Sequence, residues 1–198
     1  LDGFCMYDTQ TTDYRITSPN CPFHTNSRAN ISYEILQSAR NQGLSVGAYF
    51  SKPDWNVNSF WWRYFGVIWL DVNYNTTQYS ERWNSFKSFV YNQIDEVTKN
   101  LGGLDILWMD GSWVRPNSSM DINMPSIVSN VRNNQPGIIV VDRGCGQFED
   151  YLTPEYEIPP DPLGVPFEVV RAIGPYWGHV PGMYYYHPDT LVHTLIEV

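Results

Sequence analysis

The stretch LDILWMDGSW, residues 104–113, decides the fold class of this chain. Its first six residues are almost entirely apolar, and they run directly into Asp110 and Gly111. A short continuous apolar run that ends at a turn predicts a buried strand of a parallel sheet. The acid at its end either caps the following turn or takes part in chemistry. The pattern by itself leaves both interpretations open.

Helical and apolar segments alternate on both sides of this stretch. The periodicity predicts helices over residues 31–42, 83–101, 124–134 and from about 188, and further strands at 44–50, 138–143 and 167–174. Alternation of this kind is typical of parallel βα units. A complete (β/α)8 barrel typically needs about 250 residues, and this chain has 198. We therefore expect an α/β fold, about half of a (β/α)8-like (TIM) barrel.

The ends of the sequence fit this expectation. Leu1 leads directly into a motif, and Val198 ends an apolar helical pattern without a cap. We expect residues 1–198 to form part of a single catalytic barrel, with no second domain, inside a longer chain.

Composition limits the kinds of molecule that the protein is expected to bind. A net charge of −9 argues against a nucleic-acid surface, which needs clustered lysine and arginine. Aromatic residues make up 16% of the chain, which suits either stacking on sugar rings or an aromatic core. No apolar run reaches the ~18 residues of a membrane span. The sequence does not indicate an oligomeric state.

Cysteine and histidine do not predict a metal site or a cofactor. Cys5, Cys21 and Cys145 lack metal-ligand spacing, and they allow either one disulfide with a free thiol or three buried thiols. The histidines also lack such spacing. Glycosylation sequons begin at Asn30, Asn75 and Asn117, and they favour a secreted, lysosomal or periplasmic protein.

Six motifs in series identify a family. They are DGFCMYDTQTTDY, GAYFSKPDW, LDILWMDG, IIVVDR, DYLTPEYEIP and PFEVVRAIG. In this order and spacing the chain resembles the α-L-fucosidases of glycoside hydrolase family 29 from end to end. The resemblance implies a (β/α)8-like catalytic barrel, often followed by a β-sandwich. It also implies a retaining exo-glycosidase that removes terminal α-L-fucose from fucosylated glycans through a covalent glycosyl-enzyme intermediate.

The resemblance also implies the catalytic pair. Asp110 lies where the family has its nucleophile, and a carboxylate held rigidly at a strand end suits attack on an anomeric carbon. Glu155 matches the position at which many members carry the acid/base, and Glu168 and then Glu157 are the alternatives. The acid must be a protonated carboxyl about 5–5.5 Å from the nucleophile.

The same matching assigns the binding residues. Tyr49 and Trp108 correspond to strand-end aromatics of the fucose pocket, and Arg143 corresponds to an arginine that binds sugar oxygens. Trp177 corresponds to an aromatic that packs on the fucose methyl group. The alternatives are core packing for Tyr49 and Trp108, and an ion pair with Asp142 or another acid for Arg143.

One position departs from the family. Members usually carry a histidine pair before the DGF motif, and Leu1 occupies the second of these positions. The departure favours a second hypothesis, a catalytically weakened, lectin-like fucose-binding relative, and another (β/α)8 glycosidase is the third. His24 and His179 are candidate substrate contacts, and Trp61 and Trp62 are candidates for aglycone selectivity.

Overall fold

The computed structural model describes residues 3–63, 65–66, 70–143, 148–161 and 163–197. The helices are α1 (Ile31–Asn41), α2 (Ser80–Asn100), α3 (Met124–Asn134) and α4 (Pro188–Glu197), with a 3-10 helix at Pro22–Thr25. The strands are β1 (Gly47–Ser51), β2 (Ile106–Asp110) and β3 (Ile139–Asp142). The chain divides into two compact units, Leu1–Glu149 and Asp150–Val198. The prediction of one barrel over residues 1–198 is not tested by this division.

The first unit is built on a parallel sheet with the order β1-β2-β3. Helix α2 connects β1 to β2, and α3 connects β2 to β3, so each connection is a βα unit. The α/β class and the parallel sheet are confirmed for this unit. That the chain forms about half of a (β/α)8-like barrel stays a prediction.

The core of the first unit combines apolar side chains of the sheet, α2 and α3. Helix α2 buries the apolar side chains that its spacing predicted, namely Trp83, Phe86, Val90, Ile94 and Val97. On β2, Leu107 and Met109 are completely buried, whereas Ile106, Trp108 and Asp110 on the other face are half-buried. The strand is therefore covered fully on its helix side only, and its open face carries the polar strand end. Within the described residues no helix is both long and apolar enough to cross a membrane.

The strand predicted over residues 167–174 is wrong. In the second unit this segment meets residues 152–155 only through two isolated bridges, Leu152 with Phe167 and Glu155 with Val170. Pro154 and Pro166 lie in these two segments, and each lacks the N–H that a continuous ladder needs. They contribute carbonyl groups instead, which accept from the backbone N–H groups of Val170 and Leu152.

Truncating a leucine on the buried face of β2 is expected to destabilise the first unit. Leu107→Ala removes a side chain with 0% exposure and should lower the free energy of unfolding by about 2–5 kcal/mol. Leu44→Ala is the matched control, because Leu44 is 62% exposed and its loss should change stability by less than about 0.5 kcal/mol. Urea unfolding followed by circular dichroism measures both, and equal losses would contradict the assigned core.

Candidate active site

The register of the sheet brings the candidate residues of the first unit together. Tyr49 pairs with Trp108, and Ser51 pairs with Asp110. Alternate residues of a strand share a face, and paired residues in a parallel ladder lie side by side. These four side chains therefore occupy one face at the carboxyl end of the sheet. Arg143 follows the end of β3 at the same edge.

The Asp110 carboxylate accepts three hydrogen bonds from described residues. Its Oδ1 atom accepts from the backbone N–H of Gly111 at 2.7 Å and from the guanidinium of Arg143 at 3.2 Å. Its Oδ2 atom accepts from the hydroxyl of Tyr49 at 2.5 Å. The Asp110 side chain keeps 24% of its surface exposed, so the group is fixed in orientation and still open to a ligand. This arrangement is more than a turn cap, which would need only the backbone contact.

Two aromatic rings lie on the same face of the sheet as the carboxylate. The rings of Tyr49 and Trp108 stack with centroids 5.5 Å apart and an interplanar angle of 19°. The guanidinium carbon of Arg143 lies 5.4 Å from the Trp108 ring centroid, within the range of a cation–π contact. Tyr49 is 62% exposed, which excludes core packing as its role. Arg143 does pair with an acid, as one alternative held, and Asp110 is that acid.

The Tyr49 hydroxyl keeps its proton over a wide pH range. Partial burial, followed by the hydrogen bond to Asp110, raises the pKa of Tyr49 to about 12. The phenol is therefore protonated at neutral pH and acts as a donor. Through this hydrogen bond the phenol helps to fix the orientation of the Asp110 carboxylate.

A hollow of about 370 Å³ lies beside β1 in the same unit. Its lining includes Tyr49, Ser51, Asp54 and the segment 3–7 of the DGF motif. Gly3 has φ +72°, and a Cβ added to it would lie only 2.4 Å from the Asp54 carboxylate. Glycine at this position therefore lets two of the family motifs approach each other. The volume falls within the usual range of small-ligand pockets.

The candidates for the acid/base and for the wall of the sugar methyl group belong to the second unit. Glu155, Glu157 and Glu168 are exposed, and Glu168 accepts a hydrogen bond of 2.8 Å from the Tyr151 hydroxyl. Trp177 is 58% exposed, and its ring centroid lies 5.2 Å from that of Tyr156. Their roles as acid/base and as a wall for the sugar stay predictions.

Other polar candidates have local partners. His24 Nδ1 lies 2.7 Å from the Cys21 carbonyl, and His179 Nδ1 lies 3.1 Å from the Tyr185 hydroxyl. Cys5 and Cys21 are free thiols, and burial raises the pKa of Cys5 to about 11. Cys145 lies outside the described residues. Nowhere in the described part of the chain do three histidine, cysteine or acidic side chains form a group that could hold a metal.

The aromatic segment after β1 is used largely for packing. The Arg82 guanidinium lies 4.0 Å from the centroid of the Trp62 ring, and the Trp61 indole N–H donates to the Asp71 carbonyl. Trp55 and Trp61 stack with centroids 5.5 Å apart. These contacts account for both rings without a ligand, and the role in aglycone selectivity stays a hypothesis.

Sequence reasoning missed Ser51. Its hydroxyl donates to the Tyr49 oxygen at 3.3 Å, which places it one hydrogen bond away from Asp110. The available clue was the spacing of two residues between Tyr49 and Ser51, which puts both on one face of a strand. The sheet register that sets Ser51 beside Asp110 was not readable from the sequence.

A carboxylate at the end of a parallel strand, bound by an arginine and by a tyrosine that stacks on a tryptophan, is the arrangement expected of a barrel-type glycosidase site. Comparison with protein families gives the same class. The family model for alpha-L-fucosidase matches residues 1–198, and the chain belongs to that family.

Individual relatives are distant. The chain is 22% identical over 139 residues to Alpha-L-fucosidase 1 of Arabidopsis thaliana, covering 70% of this chain and 23% of that protein. A stretch of 82 residues is 34% identical to Lysozyme-like protein 7 of Caenorhabditis elegans, covering 38% and 29% of the two chains. Alpha-L-fucosidase isoenzyme 1 from Paenibacillus thiaminolyticus superposes with a TM-score of 0.73 at 24% identity, over 99% of this chain and 49% of that one. The chain thus spans about half of that solved structure, and the likeness concerns the fold.

Gly111→Ala is expected to disturb the strand end that carries Asp110. Gly111 has φ +96°, and an added Cβ would lie 2.5 Å from Cδ of Pro53. Gly103→Ala is the matched control, because Gly103 has φ +87° but nothing within 4 Å of the added atom. Both changes should cost about 1–2 kcal/mol from backbone strain. Gly111→Ala should cost a further 1–3 kcal/mol, roughly, from overpacking.

Urea unfolding of the two alanine variants separates these contributions. Equal free energies of unfolding for the two variants would show that the contact between Gly111 and Pro53 is not tight.

Proposed function

We propose that the site of this chain hydrolyses terminal α-L-fucosides of fucosylated glycans with retention of configuration, with Asp110 as the nucleophile. The observation that carries the proposal is the set of three donors on Asp110, from Gly111, Arg143 and Tyr49. Donors on both oxygens hold the carboxylate in one orientation, as a nucleophile requires. Membership of the alpha-L-fucosidase family supports the choice of sugar.

In the first step, an oxygen of Asp110 forms a bond to the anomeric carbon, and the bond from that carbon to the leaving oxygen breaks. The electron pair of the broken bond stays with the leaving oxygen, which takes a proton from the acid/base residue. The product is a glycosyl ester of Asp110.

In the second step, water attacks the anomeric carbon and gives its proton to the same acid/base residue, while the ester electrons return to Asp110. Arg143 and the Gly111 N–H assist this step, because they stabilise the negative charge that reappears on the carboxylate. Glu155 is the proposed acid/base, ahead of Glu168 and Glu157. All three side chains are exposed, so exposure does not rank them.

The surroundings suit a deoxy sugar. Fucose carries an apolar methyl group together with hydroxyl groups, so its pocket needs aromatic surface and polar donors side by side. Tyr49, Trp108 and Arg143 offer both within the first unit. Trp177 is proposed as the wall for the methyl group, in line with its exposed ring.

A second candidate is a protein that binds fucose without turning it over. Leu1, where family members carry a histidine for the sugar hydroxyls, favours it. Binding and hydrolysis are separated by the experiment on Asp110 that follows.

Asp110→Ala is expected to lower kcat for an aryl α-L-fucoside by about 10⁴-fold or more, since no other group replaces the attacking oxygen. Azide should restore part of the turnover and give β-fucosyl azide, because it enters on the face that the carboxylate occupied. Asp13→Ala is the matched control, since the Asp13 side chain is exposed and lies outside the proposed site. Unchanged turnover in Asp110→Ala would contradict the assignment. Fucose binding by a wild-type protein without any turnover would favour the second candidate.

Replacing the acid/base residue has a different expected result. Of the three variants Glu155→Ala, Glu168→Ala and Glu157→Ala, the first should lower kcat for a fucosylated disaccharide by about 10²–10⁴-fold. It should affect an aryl fucoside with a good leaving group much less, and azide should then give α-fucosyl azide. The product stereochemistry, read by NMR, distinguishes this role from that of Asp110. If Glu168→Ala or Glu157→Ala gives this pattern instead, the ranking is wrong.

A further inference from the structure

We propose that Ser51 is a positioning residue of this site, which holds the Tyr49 hydroxyl and becomes its hydrogen-bond acceptor while Asp110 is esterified. The inference rests on the proposed hydrolysis. It starts from a chain of contacts: Ser51 Oγ donates to the Tyr49 oxygen at 3.3 Å, and the Tyr49 hydroxyl donates to Asp110 Oδ2 at 2.5 Å. The register that pairs Ser51 with Asp110 fixes all three groups on one face.

The donors on Asp110 select the oxygen that attacks. Oδ1 accepts two hydrogen bonds, from Gly111 and Arg143, and these occupy both of its lone pairs. Among the described residues Oδ2 accepts only one, from Tyr49, so it keeps one lone pair free. The free pair makes Oδ2 the atom that forms the bond to the anomeric carbon.

Bond formation at Oδ2 weakens the hydrogen-bond acceptor of the Tyr49 hydroxyl. An ester oxygen carries no net charge and accepts hydrogen bonds more weakly than a carboxylate oxygen. The phenol still carries its proton, because its pKa of about 12 lies far above neutral. The Tyr49 hydroxyl then needs another acceptor, and a side chain already fixed beside it avoids the entropy cost of ordering a water molecule there.

Ser51 supplies that acceptor without moving its backbone. A serine hydroxyl is both a donor and an acceptor, so rotation about its C–O bond reverses the hydrogen bond between the same two oxygens. No proton is transferred between the two oxygens, and no charge is created. When the ester is hydrolysed and the anion returns, the bonds revert to the arrangement seen in the free protein.

A double-mutant cycle tests the proposal and compares the wild type, Ser51→Ala, Tyr49→Phe and the double variant. Ser51→Ala should lower kcat for an aryl α-L-fucoside about 5-fold, the equivalent of one ordinary hydrogen bond. In the Tyr49→Phe background the same change should have no further effect, because the hydroxyl that Ser51 serves is absent. Ser51→Thr keeps a hydroxyl and should restore most of the rate, and Ser112→Ala, at an exposed serine, should leave it unchanged. Equal losses from Ser51→Ala in both backgrounds, or no loss in either, would overturn the proposal.

A measurement that does not depend on turnover separates this proposal from the hydrolysis itself. With tyrosine labelled by ¹³C at the ring carbon that bears the hydroxyl, the Tyr49 resonance is assigned by its disappearance in Tyr49→Phe. Ser51→Ala should shift this resonance at neutral pH, Ser51→Thr should return it towards the wild-type position, and Ser112→Ala should not affect it. An unmoved resonance in Ser51→Ala would refute the contact even if the protein is active. A shifted resonance in a protein without turnover would support the contact and refute the hydrolysis.

Discussion

The parallel pairing of β1 with β2 is the constraint on which the rest of the site depends. A displacement of one residue in this ladder would turn Trp108 and Asp110 towards the helices and bring Leu107 and Met109 to the open face. The complete burial of Leu107 and Met109 opposes such a displacement, because it would expose their apolar surface to water. Hydrophobic burial on one face of the strand therefore fixes the position of the polar groups on the other face.

Hydrogen bonds and an ion pair then fix the orientation of the Asp110 carboxylate, which packing has placed on the open face. Gly111 and Arg143 hold one carboxylate oxygen of Asp110, and Tyr49 holds the other. The donors differ in kind: Gly111 contributes a main-chain N–H, Arg143 a guanidinium and Tyr49 a neutral phenol. The carboxylate thus has one orientation before any ligand arrives, which is the preorganisation that enzyme sites use. Exposure of Tyr49 and partial exposure of Asp110 leave this group reachable from solvent.

Much of the first unit was predictable because its sequence carries strong periodic patterns. The apolar spacing of α2 predicted the buried residues Trp83, Phe86 and Val90, and α3 begins and ends at the predicted residues. Exposure was less predictable: Ile35 shares the helical pattern of α1 with Leu36, yet it is 62% exposed. The predicted strand at 167–174 failed because β-branched residues suggested a ladder that the nearby prolines do not allow. At the site, the motifs identified Asp110, Tyr49 and Arg143 by residue type. The role proposed for Ser51 depends on the register of β1 against β2, and the local sequence does not predict that register.

The close approach of Gly111 to Pro53 has a consequence for how this site can change. These two residues belong to the loops that follow neighbouring strands, and each loop leads away from a residue of the same site. In barrel-like proteins such loops are the usual places for insertions that alter specificity. Here the first residues of the two loops are in close contact, so a change in the backbone conformation of one loop requires a compensating change in the other. Engineering of new substrate preferences should therefore vary the two loops as a pair and begin beyond Pro53 and Gly111.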